Sequence, residues 1–449
     1  MTDLSAAPSE IKWLKLGFAV TASVTLLAFA LAGAFPSEFS SQLIKAIIFF
    51  YLGMVVLRAL FFFTGTFLQR LEVLRLHRVP DQDFRRPMVS VIMPCYNEEK
   101  VIEHSLRNLT ELTYPSLEII VVNDGSRDRT SMLARAEAIY SPRIPVTVID
   151  QENKGKASAL NLGLLHAQGE VIMCVDADSR LNAGAVEMAV RQFQDPEVGA
   201  VAGFVEIVNQ GSVLLLLQQL EYLVGLNFSR RAMSFLGVVP IVPGPAGMFR
   251  RKALMEAGGF ISGKDVFAED AELSMRLLTR GWKIKTEDQM IARTEAPDTH
   301  QALLRQRYRW NRGTYQALLL NFFGLLGSGW RGRWVALHLV AESVVTPVLN
   351  FGLILYFLTF YFTTGSLEMF TMWYFYLLGI DILTTTLAVH GKGMLPVWLA
   401  LTFINKVYYF YMLLTWRLLS LYEEWLGVNM TWDKLTREGT ALKEDSAHA

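Results

Sequence analysis

Two carboxylates flank a single residue in Asp176-Ala177-Asp178, directly after the apolar run Glu170–Val175. A pair of hard carboxylate oxygens at the end of a buried strand can hold one divalent cation, Mg²⁺ or Mn²⁺, against a diphosphate. Such a cation offsets the charge that develops on a leaving phosphate. A D-x-D triplet by itself is also common in solvated turns, so its meaning depends on what the rest of the chain places beside it.

Polar turns follow the first two strand-like segments, at Pro94–Glu98 and at Val122–Ser126. Turn residues leave backbone N–H groups free to grip a nucleoside, and Asp124 could accept from a uracil N–H or a ribose hydroxyl. Each stretch taken alone could equally be turn chemistry. Lys156 opens a helix after Asn153-Lys154-Gly155, where it could reach a phosphate near the helix N-terminus or remain a surface lysine.

Two adjacent carboxylates, Glu269 and Asp270, head a helical pattern that continues to Thr279. Attack by a hydroxyl group needs a general base within hydrogen-bond reach, and we assign that role to Asp270. The alternative is that the pair only complements the helix dipole. A similar stretch, Thr286-Glu287-Asp288, opens no amphipathic helix, so we predict that it lies outside the site.

The most specific signal is the pentapeptide Gln306-Arg307-Tyr308-Arg309-Trp310. On a helix, Gln306, Arg309 and Trp310 share one face. A guanidinium can clamp a pyrophosphate through two hydrogen bonds, and an indole offers a flat surface for a sugar ring. A basic helix touching lipid phosphates would explain Arg305 and Arg312, but it explains Gln306 and Trp310 poorly.

The composition points to a membrane protein without a disulfide framework. Hydrophobic residues make up 52% of the 449 residues, whereas Lys+Arg and Asp+Glu both number 42. This balance gives no indication of a nucleic-acid partner, and we expect none. The two cysteines, Cys95 and Cys174, both lie in strand-like segments, which argues against disulfide bonds.

Short strands alternate with helices in the middle of the chain. The strand-like segments are Val89–Met93, Glu118–Val122, Val146–Asp150 and Glu170–Val175. The helical patterns are Val101–Leu112, Ser131–Ile139, Lys156–Ala167 and Ala183–Gln194. This alternation predicts a mainly parallel sheet that is covered on both faces, with ligands at the carboxyl ends of the strands.

Five apolar segments are long enough to be candidate membrane spans. They are Ile11–Phe35, Leu43–Leu68, Trp334–Tyr361, Met369–Val389 and Leu395–Leu421. The five arginines within 70–86 predict that the second span ends in the cytoplasm, so we expect a multi-pass protein of the inner or plasma membrane with a cytoplasmic catalytic domain. Three later spans would leave the C-terminus outside, whereas the basic residues of the tail suit the inside, and this point stays open.

These patterns divide the chain into a central domain between two membrane parts. We expect two N-terminal transmembrane helices over 1–69, a cytosolic domain over 70–320, a C-terminal transmembrane bundle over 334–421 and a tail over 422–449. Segments near 211–237 and 300–333 are predicted to lie at the membrane interface, although 211–237 could equally be a core helix. The charged or polar residues Arg58, His338, Glu342 and Asp381 could line a pore or pair with one another.

With these motifs the chain resembles the processive family 2 membrane glycosyltransferases, which include the poly-N-acetylglucosamine, chitin, nodulation chitooligosaccharide, hyaluronan and cellulose synthases. The resemblance rests on the membrane layout and on P-C-Y-N-E-E at 94–99, V-V-N-D-G-S at 121–126, N-K-G-K at 153–156, D-A-D at 176–178, A-E-D at 268–270 and Q-R-Y-R-W at 306–310. It implies an α/β cytosolic glycosyltransferase domain of the GT-A-like type, with a mainly parallel sheet, inserted in an α-helical transmembrane bundle. Ala268 stands where family members often have Thr, but the base that follows is kept.

The resemblance also implies roles for individual residues. Asp270 would be the base, beside Glu269, and Mg²⁺ or Mn²⁺ would be bound by Asp178 and Asp176. Donor-binding residues would be Tyr96, Asn97, Glu98, Asp124, Lys156, Asp176, Arg307 and Arg309. Acceptor-binding residues would be Trp310, Gln306 and Gly244, with Pro245 making the small-residue loop stiffer than usual.

The resemblance implies an inverting, metal-dependent enzyme that polymerises a β-linked polysaccharide from a UDP-sugar, with UDP-GlcNAc favoured, and moves it across the membrane. Alternatives are a non-processive enzyme that makes a glycolipid and a β-glucan synthase that uses UDP-glucose. A transporter with a regulatory nucleotide-binding domain and a non-catalytic export scaffold are two further alternatives. Expected partners are the UDP-sugar donor, a growing glycan or lipid acceptor and membrane lipid, with room for a small membrane accessory subunit.

Overall fold

The computed structural model describes residues 8–78, 84–141, 143–261 and 267–428. Most of the predicted tail, with the basic residues that bear on the side of the C-terminus, lies outside the described residues. The centre of the described chain is one eight-stranded sheet of order β3-β2-β1-β4-β7-β6-β8-β5. Its strands are β1 (Val89–Cys95), β2 (Leu117–Asp124), β3 (Val146–Gln151), β4 (Val171–Cys174), β5 (Arg180–Leu181), β6 (Val198–Ile207), β7 (Gly247–Arg250) and β8 (Lys283–Thr294).

Helices connect these strands and extend into two flanking groups. Around the sheet lie α3 (Ile102–Thr110), α4 (Thr130–Ile139), α5 (Lys156–His166), α6 (Ala185–Arg191), α7 (Val213–Leu220), α8 (Ser229–Leu236), α9 (Arg251–Ala257) and α10 (Glu269–Thr279). The flanking helices are α1 (Pro8–Ala34), α2 (Glu38–His77), α11 (His300–Gly327), α12 (Trp330–Val340), α13 (Thr346–Thr364), α14 (Glu368–Ala388), α15 (Leu395–Ile404) and α16 (Phe410–Trp425).

The sheet is mixed, with parallel pairings in the majority. Strands β3, β2, β1 and β4 run parallel, β7 runs antiparallel between β4 and β6, and β8 pairs parallel with β6. The four predicted strands and the four predicted helices of this region are all present, within a few residues of their expected ends. The carboxyl ends of β1, β2 and β4 therefore bring three of the predicted polar stretches to one edge, which confirms the α/β prediction.

Alternate residues of the central strands face two separate apolar cores. On one face Ile92 and Ile120 pack with α5, and on the other Val91 and Ile119 pack with α3. All four side chains are at most 2% exposed. Because both faces of a parallel sheet are covered, its strands are continuously hydrophobic, as the sequence of β1 and β2 indicated. The rigid sheet thus fixes the polar turns that follow it.

The segment 213–236 belongs to the packed core more than to a free interface. It runs through α7, a π-helical stretch (Glu221–Phe228) and α8, and it ends at Gly237 in the left-handed conformation, with a φ of 72°. Thr66 of α2 donates a hydrogen bond to the carbonyl of Phe228, at 3.2 Å. The inner face of this segment therefore packs as the alternative of a core helix expected. On its outer face Val213 is 54% exposed.

Among the described residues, four helices are long and apolar enough to cross a membrane, by length and composition. They are Lys15–Ala34, Glu38–His77, Trp330–Thr364 and Leu395–Trp425. The fourth predicted span, Met369–Val389, forms α14 but is not among them. The 40-residue α2 is roughly 60 Å long, which exceeds a bilayer core, so its last turns can pack on α8.

Charged side chains inside these helices pair with one another. Arg58 of α2 lies 2.7 Å from Glu342, and Lys406 lies 2.9 Å from Asp381. His338 stacks on Trp334, with ring centroids 4.9 Å apart. These contacts favour the pairing alternative over a pore-lining role, since a charge at membrane depth is tolerated when it meets a partner.

The close contact between α2 and α8 yields a stability prediction. A methyl group added at Gly65 would lie 2.9 Å from the backbone of Ala232, whereas one added at Gly53 of the same helix would meet nothing within 4 Å. We expect Gly65→Ala to destabilise the protein by about 1–3 kcal/mol, as overpacking does. Gly53→Ala is the control and should be neutral or stabilising, since Ala is the better helix former. Thermal unfolding in detergent compares the two, and equal melting temperatures would contradict the packing argument.

Candidate active site

A cleft opens at the carboxyl ends of β1 and β4. Predicted site residues from three separate motifs line it, together with the small-residue loop around Gly244. The lining residues that matter chemically are Lys156, Asp176, Gly244, Glu269 and Asp270. Residues up to 114 positions apart in sequence therefore share one pocket, as the motif analysis expected.

Lys156 is the electrostatic centre of this cleft. Its ammonium lies 2.7 Å from a carboxylate oxygen of Asp176 and 3.0 Å from one of Glu269. Burial alone would lower the pKa of Lys156, but Asp176 and Glu269 outweigh it and raise that pKa. Lys156 is therefore a permanently charged residue of the cleft and not a plain surface lysine.

Asp270 lies in the first turn of α10 with its carboxylate facing the cleft. One oxygen accepts a hydrogen bond from the backbone N–H of Ala271, at 2.8 Å. Burial and the neighbouring Glu269 raise the pKa of Asp270 to about 6, against the opposing effect of Lys156 and Arg309. A carboxylate with a pKa near the working pH is suited to accepting a proton from a hydroxyl group.

Asp124 has a different environment from the one predicted. Its side chain is 4% exposed, and it accepts hydrogen bonds from Gln151 Nε2 at 2.7 Å and from the backbone N–H groups of Lys154 and Gly155, both at 2.9 Å. Gly155 has a φ of 90°, in the region that favours glycine. Asp124 thus holds the loop that leads into α5 and sets the start of the helix that carries Lys156, a role beyond the predicted contact with uridine.

The turn that contains Tyr96, Asn97 and Glu98 is fastened to the polar turn after β2. The backbone N–H of Asn97 donates to Ser126 Oγ at 2.9 Å, and Asn97 Oδ1 accepts from the N–H of Arg127 at 2.9 Å. Asn97 is in the left-handed conformation, with a φ of 53°. These hydrogen bonds join the two turns into one rigid unit at the edge of the sheet. The predicted contacts of Tyr96, Asn97 and Glu98 with the donor remain a prediction.

Asp176 and Asp178 occupy different depths. Asp176 lines the cleft, whereas Asp178 is 6% exposed and lies behind it, near the hydroxyl of Ser179 at 3.3 Å. Within the described residues no three His, Cys, Asp or Glu side chains form a ready metal site. Two hard carboxylates fit Mg²⁺ or Mn²⁺ nonetheless, because such ions commonly use one or two carboxylates and take their remaining ligands from phosphates and water.

Gly244 approaches the charged residues so closely that a side chain would interfere. A methyl group there would lie 3.0 Å from the ammonium of Lys156 and 3.5 Å from a carboxylate oxygen of Asp176. Gly244 begins a short 3₁₀ turn that includes Pro245 and ends at Ala246. The loop therefore presents backbone to the cleft, and the predicted acceptor contact of Gly244 stays a prediction.

The pentapeptide Gln306–Trp310 lies within α11, and its two arginines point in different directions. Arg309 is close enough to Asp270 to lower the pKa of that carboxyl. Arg307 is 4% exposed and forms two hydrogen bonds with Glu221, at 3.1 and 2.7 Å. The guanidinium of Arg307 is thus bound to Glu221 and does not line the cleft, and its predicted contact with the diphosphate stays a prediction.

Gln306 and Trp310 lie beside Arg307. Gln306 Oε1 accepts a hydrogen bond from Arg307, and the guanidinium carbon lies 4.3 Å from the centroid of the Trp310 ring. Trp310 is half-buried and also packs near Tyr222, with centroids 6.3 Å apart. Neither residue lines the cleft itself, so their acceptor-binding roles remain predictions.

Arg230 of α8 is a site residue that sequence reasoning missed. Burial lowers the pKa of its guanidinium to about 10, while Asp270 and Tyr222 act in the opposite direction. Its Nη1 is buried and has no hydrogen-bond partner among the described residues. In the sequence Arg230 is one of two adjacent arginines within the segment 211–237, which is a signal too general to place it near the base.

The stretch 286–288 lies inside β8 and does not line the cleft. Asp288 pairs with Arg231 at 2.8 Å, and Glu287 lies 3.4 Å from His77 of α2. These carboxylates bind the sheet to α2 and α8, which is consistent with the prediction that the stretch belongs to the scaffold.

The hydrogen bonds of Asp124 make its contribution measurable. Asp124→Ala would leave two partly buried backbone N–H groups without their acceptor, and we expect a loss of about 1–3 kcal/mol in stability. Asp124→Asn keeps one carbonyl oxygen and should lose less. Thermal unfolding of the three proteins measures the series, and an alanine variant as stable as wild type would show that the loop does not depend on this carboxylate.

Comparisons with known proteins agree with the geometry. The family model for glycosyl transferase family 2 matches residues 90–258. Poly-beta-1,6-N-acetyl-D-glucosamine synthase of Staphylococcus aureus (strain COL) is 33% identical over 272 residues, which are 60% of this chain and 64% of that protein. The Staphylococcus epidermidis synthase of the same name is 30% identical over 283 residues, 62% of this chain and 66% of that protein. The chain thus matches just under two thirds of the length of these relatives.

A solved structure shows the same fold. The mannosyltransferase PcManGT from Pyrobaculum calidifontis, in complex with GDP-Man and Mn2+, matches with a TM-score of 0.52 at 24% identity, covering 80% of this chain and 99% of that one. At this identity the likeness concerns the fold alone. Residues 90–258 thus match the glycosyl transferase family 2 model, and the domain that holds them has a GT-A-like fold.

Proposed function

We propose that the chain is an inverting, metal-dependent glycosyltransferase that builds a β-linked polysaccharide from a UDP-sugar and moves the product across the membrane. The observation that carries the proposal is the cleft in which Asp270 meets Lys156 and Asp176, the latter two lying within the residues that the family 2 model matches. The names of the relatives, poly-beta-1,6-N-acetyl-D-glucosamine synthases, support UDP-GlcNAc as the donor in this proposal.

The reaction follows from the positions of the charged groups. Asp270 removes the proton of an acceptor hydroxyl, whose oxygen attacks C1 of the donor sugar. Attack opposite the departing diphosphate inverts the configuration at C1. The cations Lys156, Arg309 and Arg230 lie around this carboxylate and supply positive charge for the UDP that leaves.

A divalent cation belongs to this proposal through the two aspartates. Asp176 and Asp178 would hold Mg²⁺ or Mn²⁺, which would offset the charge of the leaving diphosphate. The solved mannosyltransferase neighbour was determined with Mn2+. Export of the product rests on the four helices that are apolar enough to cross a membrane.

The decisive experiment measures UDP release by the purified, detergent-solubilised protein. UDP-GlcNAc, UDP-glucose and UDP-glucuronate are offered in parallel with Mg²⁺ or Mn²⁺. We expect UDP-GlcNAc to be turned over, and Asp270→Asn to be slower by about 10²–10⁴-fold, the usual contribution of a general base. Asp298→Asn is the matched control, because Asp298 is exposed and does not line the cleft.

Each outcome of this experiment has a distinct meaning. If no donor releases UDP, the proposal that the protein is a glycosyltransferase is contradicted. If Asp270→Asn releases UDP at the wild-type rate, the assignment of Asp270 as the general base is contradicted. Turnover of UDP-glucose instead would favour the β-glucan alternative. Sizing of the product separates a polymer from a glycolipid.

The pH profile of UDP release tests Asp270 further. The carboxyl must be ionised to accept a proton, so with a pKa of about 6 the rate should rise with pH, reach half of its maximum near pH 6 and level off above that pH. Because Arg309 stabilises the ionised form, Arg309→Met should move the midpoint upward as well as lower the rate. A midpoint that does not move would show that Arg309 and Asp270 are not coupled.

A further inference from the structure

Glu221, whose side chain is 24% exposed, joins three parts of the molecule. It begins the π-helical stretch between α7 and α8, and both of its carboxylate oxygens receive hydrogen bonds from Arg307 of α11, at 3.1 and 2.7 Å. Arg307 is 4% exposed, so this pair is withdrawn from water. A paired, two-bond contact between a guanidinium and a carboxylate fixes the plane of the guanidinium as well as its position.

A third contact ties Glu221 to a candidate membrane span. The hydroxyl of Tyr409 donates to Glu221 Oε2 at 2.6 Å, and the Tyr409 side chain is 1% exposed. Tyr409 lies in a second π-helical stretch, Asn405–Tyr409, within the span Leu395–Trp425. π-Helical turns are rare and occur often at functional sites, and here two of them meet at one carboxylate.

The face of the Arg307 guanidinium sets the orientation of Trp310. The guanidinium carbon lies 4.3 Å from the centroid of the Trp310 ring and 5.9 Å from that of Tyr222. A stacked cation of this kind favours one orientation of the indole. The chain of contacts therefore runs from Tyr409 through Glu221 and Arg307 to Trp310.

We propose that Glu221 and Arg307 are positioning residues that hold Trp310 as the stacking surface for the acceptor saccharide, and that Tyr409 keeps this surface in register with the membrane span. The inference rests on the proposed function, since it assigns the acceptor end of the same site. A buried ion pair is a weak source of stability compared with apolar packing, so its value lies in the geometry that it imposes. An acceptor sugar needs a flat surface at a fixed angle to the base, and a guanidinium with a fixed plane supplies that constraint.

The test separates the use of the acceptor from the use of the donor. The purified full-length chain is assayed with UDP-GlcNAc and with a β-linked N-acetylglucosamine pentasaccharide as the added acceptor. We expect Glu221→Gln to raise the KM for the pentasaccharide roughly tenfold, a typical coupling between contacting side chains, and to leave the KM for UDP-GlcNAc unchanged. Its products should also be shorter than those of wild type.

Arg307→Lys distinguishes positioning from simple structural support. Lysine preserves the ion pair with Glu221 but has no flat face to present to Trp310. The positioning role predicts that the acceptor KM of Arg307→Lys rises as in Glu221→Gln, whereas structural support predicts wild-type values. Tyr409→Phe removes only the hydroxyl that donates to Glu221. We expect it to raise the acceptor KM as well, by a smaller factor than Glu221→Gln.

A double variant tests whether Glu221 acts through Trp310. In a Trp310→Leu background, Glu221→Gln should have no further effect on the acceptor KM. The matched control is Glu423→Gln, since Glu423 accepts a hydrogen bond from Tyr308 of the same helix but touches neither Arg307 nor Trp310. The control should have the acceptor KM of wild type.

Three results would overturn the inference while leaving the proposed function intact. They are an unchanged acceptor KM in both Glu221→Gln and Tyr409→Phe, a full additional effect of Glu221→Gln in the Trp310→Leu background, and a wild-type acceptor KM in Arg307→Lys. Failure of the wild-type protein to turn over UDP-GlcNAc would instead overturn the proposed function and this inference together.

Discussion

The cleft depends on one ammonium group held between two carboxylates. Asp176 follows β4 and Glu269 begins α10, and without Lys156 between them their charges would repel one another in a partly dry pocket. Lys156 also opposes the rise in the pKa of Asp270. An incoming diphosphate would compete for this ammonium with the protein's own carboxylates, so donor binding and the charge of the base are linked through a single side chain.

The position of that ammonium is set at some distance from the cleft. Asp124 at the end of β2 binds the two backbone N–H groups that precede α5, and Lys156 is the first residue of that helix. Because the start of the helix is fixed in this way, the backbone position of Lys156 is fixed as well. Rigidity of the sheet edge is therefore transmitted to the chemical groups through backbone hydrogen bonds, which is how a site keeps its geometry before substrate arrives.

Much of the fold and part of the site could be predicted because they depend on local pattern. Apolar runs ending in polar turns identified the strands, and strands of one parallel sheet bring their carboxyl ends together, so the meeting of Asp176, Lys156 and Asp270 followed from topology. The commitment of Arg307 to Glu221 could not be predicted, because it depends on how α11 is rotated against a segment 86 residues earlier. Arg230 was missed for the same reason, since its nearness to Asp270 is a matter of tertiary packing.

The rotation of α11 explains why one motif serves two sides of the molecule. Arg307 and Arg309 are two positions apart, which on a helix places them on roughly opposite faces. Arg309 consequently faces Asp270 in the cleft, while Arg307 faces Glu221 and the span that carries Tyr409. Five residues further along the helix, Arg312 contacts Glu424 at 2.7 Å, and Glu424 also pairs with Lys15 of α1 at 2.6 Å. Because α11 carries both Arg309, near Asp270, and the buried ion pair of Arg312 to the candidate membrane helices, we expect a displacement of those helices to reach the proposed active site.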